Sequence, residues 1–157
     1  MSEEMGATPS VTTYAGTKAQ TGAGTQLAIG TAATILGEVS DLPFNRPKWA
    51  TANVTNFQSG KDAEYIGTVR EGATVNIKGN RVSADAGQVA VEAAYQSGAI
   101  TAFIATLPKT PLQTTAGDVV NFSGVVQSFD FSVSPTKQIE FSVDIQVSGP
   151  SSVVPGT

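Results

Sequence analysis

Residues 117–149 read GDVVNFSGVVQSFDFSVSPTKQIEFSVDIQVSG, and this stretch decides the fold. In its second half Ile139, Phe141, Val143, Ile145 and Val147 alternate with Glu140, Ser142, Asp144 and Gln146. A period of two over nine residues marks a strand with one dry face and one wet face. In the first half Phe129, Phe131 and Val133 alternate with Ser128, Asp130, Ser132 and Ser134. The reading is two long strands, Asp118 to Val133 and Gln138 to Val147, joined across Ser134-Pro135-Thr136-Lys137. Phe129, Phe131, Ile139, Phe141, Val143 and Ile145 are expected to form a core face that a helix covers.

Working outward, the rest of the chain must supply partners for this hairpin. Gly24 to Gly30 reads as a short strand and Thr34 to Leu42 as a second. Pro43 and Pro47 then interrupt pairing. Trp49 to Phe57 is rich in β-formers, but neither of its faces is strongly apolar. A long polar loop follows at about residues 57–66, and Val69 to Gly79 is again a strand with Val69, Ala73, Val75 and Ile77 on one face. Trp49 and Tyr65 are read as packing residues, since no basic run surrounds them.

One helix is expected, Ala86 to Ser97. Asp85 is placed to cap it, Gln88 to complete a capping box, and Gly98 to end it in the left-handed conformation. Ala86, Val89, Ala90 and Ala93 make one face, extended by Val91, Ala94 and Tyr95. A strand from Ala99 to Leu107 ends at Pro108, and Lys109 to Gly117 is a loop back to the hairpin.

The sum is one domain, mainly β: a mostly antiparallel β-sandwich or barrel with one packed α-helix. The domain runs from 25 to 147. Residues 1–24, poor in large apolar side chains, are read as a flexible amino-terminal arm, and 148–157, with two prolines and a glycine, as a flexible carboxy-terminal arm.

Composition excludes several function classes. The 157 residues contain no His and no Cys, which removes the commonest general base, the commonest metal ligand and any thiolate site. Nine basic residues stand against thirteen acidic ones, for a net charge of −4, the wrong balance for gripping phosphates. Asp62 and Glu64 lack the ligand ladder of a calcium loop, and Gly22-Ala23-Gly24 has no following helix to cradle phosphate. Glu140 and Asp144 lie about 13 Å apart along a strand, too far for a glycosidase pair. No enzyme, no cofactor and no metal site is expected. No segment resembles a signal peptide, and no apolar run approaches the ~20 residues that span a bilayer, so synthesis in a cytoplasm without membrane insertion is expected.

The order of parts carries a resemblance. The chain enters on Gly22-Ala23-Gly24-Thr25-Gln26-Leu27 and has a polar loop ending near Tyr65-Ile66-Gly67. Next come a strand, an alanine-rich helix closed by Ser97-Gly98, and a strand ending in Leu107-Pro108. Phe122-Ser123-Gly124-Val125-Val126 and a final alternating strand complete it. Over residues 22–149 this resembles the major tail tube proteins of long-tailed bacteriophages, a family related to the tubes of contractile tails and type VI secretion.

The resemblance implies a virion protein, made in the host cytoplasm, that forms stacked hexameric rings around a lumen through which DNA leaves. Its implied partners are itself, the tape measure, tail tip and tail terminator proteins, and DNA that passes through the lumen without sequence-specific binding. Ser59, Lys61, Asp62, Glu64 and Tyr65 become candidates for contact between rings. Asp130, Glu140 and Asp144 become candidates for the lumen, with the outer surface as the competing placement.

Overall fold

The expected hairpin is the longest pairing in the computed structural model, which describes residues 20–157. Its strands are β8 (Val119–Ser134) and β9 (Lys137–Val147), closed by Ser134 opposite Lys137. The other strands are β1 (Gln26–Ile29), β2 (Thr34–Leu36), β3 (Val39–Asp41), β4 (Lys48–Asn53), β5 (Tyr65–Glu71), β6 (Thr74–Asn80), β7 (Ile100–Thr106) and β10 (Ser152–Val154). The single helix among the described residues, α1, is Ala86–Ser97. All pairings among the described strands are antiparallel, in the order β2-β1-β7-β8-β9-β6-β3, with β10 also on β8 and β4-β5 apart as a two-stranded sheet.

This order makes a barrel. β2 and β3 end the sheet on opposite sides, yet only Gly37 and Glu38 separate them in sequence. Three Cα–Cα steps reach at most about 11 Å, so the sheet must roll until its two ends meet. Inward side chains from the whole circuit form one core, including Leu27, Leu36, Ile77, Phe103, Phe122, Val143 and Ile145. Phe103 and Phe122, opposite one another in register, stack with centroids 5.2 Å apart.

The single strand expected over Thr34 to Leu42 is therefore two. The break is made from a distance. The Asp85 carboxylate, 3.0 Å from the Gln88 N–H that it caps, also accepts the Gly37 N–H at 3.1 Å. A Cβ on Gly37 would lie 2.6 Å from Asp85 Oδ1, and Glu38 takes a φ of 59° to leave the turn.

Val69 to Gly79 is likewise two strands. Val147 N–H donates to Ala73 O at 2.9 Å, and a Cβ on Gly72 would sit 2.1 Å from Val147 O. The chain is held there as it passes from exposed β5 to core-forming β6. Val75 and Ile77 are buried as expected, whereas Val69 belongs to β5 and faces solvent.

The helix has the expected span and both expected caps, with Gly98 at φ 65°. Its face is only partly the expected one: Val91 and Ala94 are buried and Ala90 packs against the core, but Ala86, Val89, Ala93 and Tyr95 are exposed, and Gly87 and Gln88 are buried instead. Gln88 holds a core position because its amide is fully used. It accepts from Arg81 Nη1 at 3.0 Å and Val82 N at 2.9 Å, and donates to Asn80 O at 2.9 Å and Gly37 O at 3.4 Å. It does not reach back to Asp85 N, which donates to Val82 O, so the cap is one-sided.

Two further expectations change. Phe131, Val133 and Ile139 are exposed, because β7 pairs with β8 only as far as Val125 and β6 stops at Asn80 opposite Glu140, so this end of the hairpin loses its neighbours on both sides. The carboxy-terminal segment does not stand off as an arm. β10 pairs with Val119–Asn121, extending the edge of β8 that β9 leaves at Gly124. Thr157 O accepts the N–H groups of Thr114, Thr115 and Ala116, and Gly156 N–H donates to Asp118 Oδ1 at 2.9 Å. Of the expected amino-terminal arm, residues 1–19 lie outside the described residues; Gln20 bonds Pro108 O at 2.8 Å.

Candidate assembly surfaces

Two surfaces stand out, a polar barrel face and a projecting arm. On the barrel, the outward positions of β6, β9 and residues 128–134 of β8 are polar where the inward ones are apolar, as the period of two requires. Asp130, Glu140 and Asp144 all fall on this outward face, with Asp130 opposite Ser142, Glu140 opposite Ser132 and Asp144 opposite Ser128.

The three acids are not equivalent. Asp130 and Glu140 are exposed and line, with Asp41, Lys78 and Ser142, an open concavity of about 550 Å³. Asp144 is half-buried and tied down, accepting from Asn76 Nδ2 and, at 3.0 Å, from Ser128 Oγ. A charge held by two donors is a structural element of the sheet as much as a surface charge.

The arm is the β4–β5 hairpin. Among the described residues its strands pair only with each other, and every residue of β5 is exposed. Trp49 and Tyr65, expected to pack, are both 61% exposed. Trp49 lies flat instead, with Arg70 5.5 Å above its ring and Gly67 beneath, where a Cβ would meet the indole at 3.3 Å. Ile66 and Val69 add further exposed apolar surface. Two strands alone are marginal in water, and this pair keeps Trp49, Tyr65, Ile66 and Val69 exposed.

The tip of the arm, residues 54–64, includes Ser59, Lys61, Asp62 and Glu64; Tyr65 already belongs to β5. The tip is ordered by its own side chains. Ser59 Oγ donates to Glu64 Oε2 at 2.7 Å, Thr55 Oγ1 accepts the Glu64 N–H at 2.9 Å, and Asn56 Oδ1 accepts the Gln58 N–H at 2.9 Å. Phe57, read from sequence as the end of a strand, is instead in the turn and fully exposed. Its setting in Asn56-Phe57-Gln58-Ser59-Gly60, among turn-forming residues, was the available signal.

At the base of the arm is an apolar cavity of about 210 Å³ lined by Phe44, Val75, Val120, Phe122, Val147 and Val153, with Asn45, Arg46 and Ser151 completing the wall. Asn45 Nδ2 bonds Thr74 O at 2.8 Å and fixes one rim. The Ser151 hydroxyl oxygen is buried without a hydrogen-bond partner.

Asp118 organises the carboxy-terminal latch. The Gly156 N–H, then the Gln113 amide at 2.7 Å, hold its carboxyl below the ordinary carboxylate range. Among the described residues no three acidic side chains gather as a metal-binding group, and no helix is long and apolar enough to cross a membrane.

By sequence the chain matches no family model and no curated protein. By structure it is similar to a chain in the virion of a native gene transfer agent particle. That pair is 17% identical, covers 87% of this chain and 99% of the other, and has a TM-score of 0.68. A chain of the SPP1 tail tube is 17% identical, with 85% and 76% covered and a TM-score of 0.59. A chain from the sheath–tube complex of the PVC extracellular contractile injection system is 6% identical, with 83% and 88% covered and a TM-score of 0.62. This mainly antiparallel β-barrel with one helix thus has the fold of the tail tube proteins.

Proposed function

We propose that the chain is the structural subunit of a phage or gene-transfer-agent tail tube, polymerising as stacked hexameric rings into the conduit for DNA. The observation that carries this is the β4–β5 arm. It is ordered, apolar and exposed along the whole of β5, and needs neighbouring copies to cover it. The fold supports the same reading.

The acidic balance suits a conduit, since phosphate contacts would retain DNA that must move. Asp130, Glu140 and Asp144 are proposed to face the lumen, and Ser59, Lys61, Asp62, Glu64 and Tyr65 to meet the next ring. The proposed setting is the virion, with tape measure, tail tip and tail terminator proteins as partners and with no catalytic role. Likeness to a contractile injection system chain favours, as a second reading, a type VI-like tube subunit.

Negative-stain microscopy of concentrated protein tests the first reading. Hollow tubes or stacked rings are expected. A protein that stays monomeric under every condition, seeding with tail tips included, overturns it.

A further inference from the structure

We propose that Phe57 of one copy fills the apolar cavity between β10 and residues 44–46 of the next, locking copies head to tail. The inference rests on the reading of the chain as a self-assembling subunit and gives that assembly a particular knob and hole.

Size is the first argument. An apolar cavity of about 150 Å³ holds a benzene ring, and this one, at about 210 Å³, is walled by aliphatic and aromatic side chains. Phe57 is a phenyl group held clear of its own chain on a tip whose shape is already fixed by hydrogen bonds. Docking such a tip costs little ordering entropy.

Reach is the second. Arg46, on the cavity rim, is two residues before β4 begins at Lys48. The six residues of β4 extend about 20 Å, and Phe57 lies beyond them. The knob is therefore carried away from the hole of its own chain and towards that of another copy. A contact between two different patches repeats from copy to copy, which is how open assemblies propagate.

Charge is the third. Arg46 borders the cavity and also the hollow beside it, where Lys48 lies opposite Glu71. The tip carries Asp62 and Glu64 against a single Lys61, a net charge of −1 to set against the Arg46 guanidinium. Opposite rims of this kind guide a knob into register.

The test compares assembly of variants whose isolated fold is checked by thermal unfolding. Wild-type protein is expected to form tubes, and Phe57→Ala to lose assembly by about tenfold or more at equal concentration with an unchanged melting temperature. Val153→Trp, which blocks the hole from its exposed rim, is expected to do the same. Because the chain has no Cys, Gln58→Cys and Val153→Cys can be made separately, mixed and joined by a short thiol–thiol reagent. A covalent dimer containing one of each supports the pairing.

Normal tubes from Phe57→Ala overturn the inference and leave the tube reading standing. If Val153→Trp alone blocks assembly, the cavity takes some other segment and the inference equally falls. Failure of the wild type to assemble at all overturns both.

Discussion

Asp85 and Gly37 are 48 residues apart, yet the Asp85 carboxylate accepts the Gly37 N–H at 3.1 Å while capping α1 through the Gln88 N–H. One side chain thus starts the helix and turns the chain from one end of the sheet to the other. Removing it should do more than loosen a helix end. Asp85→Ala is expected to cost about 2 kcal/mol, the upper end for a cap, and Asp85→Asn, which keeps an acceptor, clearly less. Urea unfolding of the three proteins measures the difference; equal stability of Ala and wild type would show that neither bond matters.

Gln88 is a buried polar hub. Leucine in its place would fill a similar volume but strand the Arg81 guanidinium, the Val82 N–H and the Asn80 carbonyl. Unsatisfied buried groups cost about 1–3 kcal/mol each, and partial access to water reduces that. Gln88→Leu is expected to lose about 3 kcal/mol in denaturant unfolding despite its greater hydrophobicity.

The three acids of the outward face separate on substitution by lysine. Glu140→Lys changes an exposed side chain and should alter stability by less than about 0.5 kcal/mol. Asp144→Lys breaks the bonds to Asn76 and Ser128 and should cost about 1–2 kcal/mol. If this face lines the lumen, particles built with Glu140→Lys should deliver DNA more slowly. Unchanged delivery would place the face outside.

Asp118 gives the tail a pH dependence. Its folded pKa lies below the ordinary value of 3.8 because the Gly156 N–H and the Gln113 amide favour the carboxylate. A depressed folded pKa gives stability that is present above the unfolded value and lost as pH falls through the folded one. The latch should hold at neutral pH and weaken below pH 3.8. Amide exchange over residues 152–156 should rise in that acid range in the wild type, and already at pH 7 in Asp118→Ala.

Much of the barrel was legible because a period of two survives wherever one face is buried. β8, β9, β7 and β1 all fall within two residues of where alternation and turn residues put them. α1 was legible from its caps. Most of the misreadings were settled by partners outside the local sequence pattern. The break at Gly37 depends on Asp85, the break at Gly72 on Val147, and the rotation of α1 on four groups that Gln88 satisfies. The exposure of Phe131 and Ile139 depends on where β7 and β6 stop, which no local pattern records. On the arm, polarity drew the reading to Ser59, Lys61, Asp62 and Glu64, and the apolar Phe57 between them and β4 was passed over. Its alternation with Thr55 and Asn53 fits a strand, and only the turn shows that the alternation has ended.

The crossing at Gly37-Glu38 also bears on how the chain reaches its native state. β8 and β9 meet through a two-residue connection, but Leu27 of β1 waits for Ala105, and Val39 of β3 for Gly79. Contacts so far apart in sequence make folding slow. On the ribosome, where the amino-terminal part emerges first, β1 and β2 have no sheet to join until β7 has been made. The seam at Gly37 is then among the last parts of the barrel to close.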